Sequence, residues 1–130
     1  MASELRVDTL KDSSGNNSVG MSTVAEGSAK AWVNMNTNTS TSVLDSFNTA
    51  SLTDNGTGDT TQTFTNAMNN ANFASNGSGI HGSLGNYDSN LSLPHQDDPT
   101  TTTIRSQMSN SAAVVSDGPY ISHLIHGDLA

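Results

Sequence analysis

Ala29-Lys30-Ala31-Trp32-Val33-Asn34-Met35-Asn36 is the stretch on which the fold turns. Successive side chains of a strand point to opposite faces, so Ala29, Ala31, Val33 and Met35 share one face and Lys30, Trp32 and Asn34 the other. The reading is a half-buried strand with an apolar inner side. Its one Trp, the largest apolar group in the chain, suits a domain or subunit contact.

Outward from this strand the same signals recur. Val43-Leu44-Asp45-Ser46-Phe47 opens a second β region after the Thr/Ser/Asn loop of residues 37–42. Ala50–Thr53 and Thr60–Thr65 flank Asp54-Asn55-Gly56-Thr57-Gly58-Asp59, where Asn-Gly tolerates the positive φ of a tight turn and predicts a hairpin. Thr100–Met108 and Ala113-Val114-Val115 read as strands, with a turn over 109–112. Residues 67–73 suit either one helical turn or a continuing strand. Tyr120-Ile121-Ser122-His123-Leu124-Ile125-His126 carries large residues on both faces, which predicts a central strand or a subunit interface. From Ser75 to Pro99 the chain is rich in Gly, Ser, Asn and Asp, and a long irregular segment is expected there. Glu4–Leu10 reads as a short strand broken by the polar run 12–17. The expected architecture is all-β: a small antiparallel sandwich or barrel over residues 21–130, preceded by an extended N-terminal arm over residues 1–20.

Composition says how such a fold could hold. Hydrophobic residues make up 32% of the 130 residues, and even with the 11 Gly the chain stays below the roughly 45–50% of ordinary soluble domains. A lone copy would struggle to offset the entropy of ordering its backbone. Charged residues are only 12%, with 3 Pro, so the polarity rests on 20 Ser, 16 Thr and 15 Asn rather than on the Glu, Lys and Pro of disordered chains. Thr suits strand faces, and Asn, Ser and Gly suit turns. These features favour a β-structure that shares its buried surface with identical copies.

Twelve acidic residues against four basic ones give a formal charge of −8, which leaves no basic patch for nucleic acid or an anionic membrane surface. Cys is absent, so neither a disulfide framework nor a thiolate metal site is expected. No apolar run reaches the ~18 residues of a membrane span, and the first residues carry no secretory pattern.

Four parts of the chain carry a family resemblance. Glu4-Leu5-Arg6-Val7-Asp8-Thr9-Leu10-Lys11-Asp12-Ser13-Ser14-Gly15-Asn16-Asn17-Ser18 is similar to the opening of tail-fibre-like proteins of marine and cyanobacterial tailed phages. Gly27–Asn34 resembles the same group, as does the ordered set Asp45–Asn48, Asp54–Asp59 and Phe64–Met68. The ending, Ile121 to Asp128, also looks like the group's terminal strand, although His123 and His126 stand where apolar residues are more usual. The resemblance implies a β-rich virion structural protein, a homotrimer on the tail or particle surface. It implies a short tail fibre or tail appendage in host attachment, with a capsid decoration or head-fibre protein as the alternative. On that reading Leu5, Val7 and Leu10 anchor the arm to other virion proteins. Trp32, Val33, Phe47, Phe64, Ile121, Leu124 and Ile125 form the core or oligomer contact. Residues 75–112 match nothing in that group, and a loop facing a host surface glycan or protein is expected in that stretch, at Asn86, Tyr87 and His95.

Catalytic patterns are weak. His123 and His126, three apart on a strand, fall on opposite faces and would not chelate one metal. Gln96-Asp97-Asp98 lacks the spacing of a calcium loop. There is no Gly-x-Ser-x-Gly elbow, no Lys after the glycines at 77, 79 and 82, and little room for a carboxylate pair in a sugar cleft. The expectation is a non-enzymatic protein without a cofactor or metal.

Overall fold

The computed structural model describes residues 3–80, 89–92, 97–110 and 112–130. The chain runs β1 (Thr9–Lys11), β2 (Ser18–Gly20), α1 (Met21–Gly27), β3 (Ala31–Asn36), β4 (Ser42–Phe47), β5 (Thr49–Gly56), β6 (Asp59–Phe64), β7 (Ala74–Ile80), β8 (Ser89–Ser92), β9 (Thr103–Asn110) and β10 (Tyr120–His126). One four-stranded sheet has the order β4-β3-β10-β7 and the other β5-β6-β9-β8; β1 and β2 form a separate ribbon. Every pairing is antiparallel. The fold is an all-β sandwich.

Alternation builds the interior. On β3 Ala31, Val33 and Met35 point inward and are buried, as the pattern predicts. Ile121, His123 and Ile125 of β10 do the same from the centre of their sheet, while Tyr120, Ser122 and Leu124 face out. The expectation of a central terminal strand holds, but only one of its faces is buried. Thr60, Gln62 and Phe64 of β6 and Ile104, Ser106 and Met108 of β9 complete the layer from the other sheet.

The interior has two apolar halves. Ala31, Phe64, Met68, Ile104 and Ile125 form one, with Phe73 packed edge-on to Phe64 at 5.7 Å between ring centres. Val33, Met35, Met108 and Ile121 form the other. Between them along the strands lie His123, Gln62 and Ser106. His123 Nδ1 lies 3.1 Å from Gln62 Oε1, Gln62 Nε2 donates to Thr49 Oγ1 at 2.8 Å, and Thr49 Oγ1 donates to the Trp32 carbonyl at 3.1 Å. This chain of bonds joins the two sheets across a polar waist.

The structure corrects several local expectations. The hairpin between β5 and β6 forms, but its two-residue loop is Thr57-Gly58, because Gly56 pairs with Asp59. Gly58 adopts φ +67°, and a Cβ there would meet the Met108 carbonyl at 2.6 Å. Its own carbonyl accepts from Met108 N at 2.7 Å, so tertiary contact places the turn.

Residues 75–80, expected to be irregular, belong to β7, which pairs along its whole length with β10. Gly77 and Gly79 sit where a Cβ would strike Leu91 and Met108, so their blankness in a hydrophobic pattern is what makes room for large neighbours. β8 also falls within that stretch. Residues 67–73 form neither a helix nor a strand; Met68 makes one isolated bridge to Leu129.

At the N-terminus the strand lies at Thr9–Lys11 rather than Glu4–Leu10, and α1 links the ribbon to β3. Asp12 is the hub of the ribbon turn: it accepts from Asn17 Nδ2, Ser14 Oγ and Asn16 N, and the Asn17 bond leads the effects that hold its carboxyl below the usual range.

Candidate functional site

The outward face of the β4-β3-β10-β7 sheet gathers the apolar groups that the interior does not use. Trp32 is paired directly with Phe47 on β4 and with Leu124 on β10, and Leu124 with Asn76 on β7. Residues paired across strands point to the same side with Cβ atoms ~5 Å apart. Phe47, Trp32 and Leu124 therefore stand abreast across three strands. Phe47 is 51% exposed and Leu124 42%. The next row is Asp45, Asn34, Ser122 and Ser78, and beyond it come Tyr120 and Ile80. A shallow depression of about 210 Å³ adjoins Leu124, lined by Asn76, Gly77, Ser78, Ser122 and His123.

This arrangement divides the seven residues expected at the core or the oligomer contact. Val33, Phe64, Ile121 and Ile125 are buried interior packing. Trp32, Phe47 and Leu124 are the outward row. Tyr120 belongs to the same face and was missed; its alternation with Ile121 was the available signal.

β4 is also an edge strand, last in its sheet, and all its residues but Ser46 are exposed, including Val43 and Leu44. Edges of soluble proteins are commonly protected by Lys, Pro or a covering element. β4 contains neither Lys nor Pro, and its one charged side chain, Asp45, accepts from Ser46 N at 2.8 Å. Its irregular register at Asn34/Met35 is the only break in its pairing with β3.

Leu5, Val7 and Leu10, expected as the particle anchor, are all exposed, Leu5 at 79%. No residue from 3 to 28 is buried. Asn86, Tyr87 and His95, expected in a receptor-facing loop, lie outside the described residues.

Ionisable groups do not assemble a reaction centre among the described residues. Arg105 is held by Asp59 at 2.6 Å and by Asp97 at 2.6 Å, and the Asp59 bond is the first cause of its raised pKa. Both carboxylates are thus committed to a guanidinium. His123 is 1% exposed, and burial lowers its pKa to about 4. It is neutral at pH 7, with the proton on Nδ1 toward Gln62 and with Nε2 buried and unpartnered. Among the described residues no three His, Asp or Glu side chains are placed to hold a metal ion, and no helix is long and apolar enough to cross a membrane. Comparison with family models, with curated proteins and with solved structures gives no match to this chain, so the role of the outward face rests on its own chemistry.

Proposed function

We propose that this chain is a non-catalytic structural protein that assembles with copies of itself, as a homotrimer, through the outward face of the β4-β3-β10-β7 sheet. The observation that carries the reading is the Phe47–Trp32–Leu124 row. A chain with 32% hydrophobic residues aligns three of its larger apolar side chains on one outward face, with Phe47 and Leu124 exposed and Trp32 half-buried between them. Clustered aromatic and aliphatic groups of this kind mark contact surfaces, and Trp and Tyr dominate the energetics of such contacts. The resemblance of Glu4–Ser18 and the later stretches to tail-fibre-like phage proteins supports placing the oligomer on a virion, as a short tail fibre or appendage. Host attachment there would rest on several weak contacts presented together.

The test is the mass in solution of the wild type and of a Phe47→Ser/Leu124→Ser variant. Both substitutions lie at exposed strand positions, so the sandwich should keep its β circular dichroism. The expected result is a wild-type trimer and a variant monomer. A wild type that sediments as one folded chain at micromolar concentration overturns the reading.

A further inference from the structure

We infer that the apolar row and the β4 edge of one copy are covered by the N-terminal arm of a second copy, with the segment Glu4-Leu5-Arg6-Val7-Asp8 adding to β4 as an extra strand. The inference rests on the self-assembly reading above and names the surfaces that meet.

Two unfinished structures have matching needs. Residues 3–8 include no paired strand, yet Leu5 and Val7 alternate with charged residues as a half-buried strand would. Leu5, Val7 and Leu10 are all exposed. Among the described residues β4 pairs with β3 alone, so its outer edge offers backbone groups for a further ladder, although Ser46 N also donates to Asp45 Oδ1. Strand addition satisfies the edge by main-chain hydrogen bonds and leaves alternate side chains to fill apolar positions.

Charge selects the arm over a second sandwich as the occupant. Residues 1–20 hold three acidic and two basic residues, Arg6 and Lys11, for a net −1, and Arg6 is paired with Glu4. Residues 21–130 hold the other nine acidic residues and two basic ones, Lys30 and Arg105, for a net −7, and Arg105 is already paired with Asp59 and Asp97. Packing one sandwich against another opposes −7 to −7, whereas seating the arm opposes −1 to −7. Asp45, two residues before Phe47, makes the β4 edge itself acidic, and the arm brings Lys11 and the Glu4-paired Arg6 to it.

The absence of native Cys allows a direct test. A Val7→Cys chain and a size-tagged Phe47→Cys chain are refolded together in equal amounts, oxidised, and separated without reductant. The expected result is a mixed disulfide dimer at least tenfold more abundant than in a control that pairs Val7→Cys with Thr63→Cys on the opposite face. In parallel, Leu5→Ser/Val7→Ser should lower the solution mass to that of a monomer. A wild-type oligomer with no mixed dimer above control, and with an arm variant of unchanged mass, overturns the arm contact while self-assembly stands. A monomeric wild type overturns both. A Val7→Cys/Phe47→Cys double variant that closes its disulfide within one chain also overturns the second copy as occupant.

Discussion

The two outward faces of the sandwich differ in kind. One carries Phe47, Trp32, Leu124 and Tyr120. The other carries Ser51, Thr53, Thr61, Thr63, Thr103 and Gln107, aligned by the pairing of β5, β6 and β9. Its one cation, Arg105, is neutralised by Asp59 and Asp97. Both faces obey the same alternation above a shared interior, so strand formation does not require the difference. A Thr-rich face is comfortable in water, because its methyls pack along the sheet and its hydroxyls stay hydrated. The Trp32 face is less so, and the contrast marks the side through which we propose that copies assemble.

The severest challenge to the comparison is aimed at the interior that both faces share. Phe64→Ala should lower unfolding stability by about 3–5 kcal/mol in urea titration, since it removes the fully packed ring of one apolar half. A loss confined to one sheet would show that the faces do not rest on one cooperative body.

Acid comes next. His123 has a pKa of about 4 in the folded chain because it is desolvated, against the ordinary 6.5 when unfolded. Above about pH 6.5 it is neutral in both states, and its contribution is fully present. As the pH falls from 6.5 to 4 the unfolded chain takes up a proton that the folded chain refuses, so stability declines by about 3 kcal/mol. His123→Gln retains a donor for Gln62 and removes the titration, so denaturation curves of this variant should lose most of that slope.

A smaller stability effect should separate the faces themselves. Phe47→Ser/Leu124→Ser and Thr53→Ser/Thr63→Ser should each change monomer stability by about 1 kcal/mol or less, as surface changes do. Only the first pair should alter the sedimentation mass. If the Thr face changes the mass instead, the comparison has been read backwards. The least effect is expected from Asp97→Asn. Asp97 is well exposed, so losing its bond to Arg105 should cost about 0–1 kcal/mol in thermal unfolding and leave the Asp59 bond in place.

Much of the fold was legible from alternation. Ala31, Val33 and Met35 on one side of β3 and Trp32 on the other follow from a period of two. The central position of β10 follows from its large residues. β7 was hidden because its inward positions include Gly77 and Gly79, which no apolar count registers; only the bulk of Leu91, Met108 and Ile121 opposite explains them. Within the expected Asp54–Asp59 the two-residue loop falls at Thr57-Gly58, where Met108, fifty residues later, holds Gly58. The candidate face was half legible. The residues Trp32, Phe47 and Leu124 could be named, but their separation from Val33, Phe64, Ile121 and Ile125 required the register that sets them abreast.

The polar waist has a consequence for how the two sheets find each other. Methionine and small aliphatic side chains tolerate sliding, because one greasy contact is nearly as good as the next. His123 and Gln62 do not. A slip of one inward position would set an imidazole against Phe64 or Met108 and strand an amide in hydrocarbon. The bond between them therefore works as an indexing notch: it admits a single alignment of an interior that Met35, Met68 and Met108 would otherwise leave free to creep.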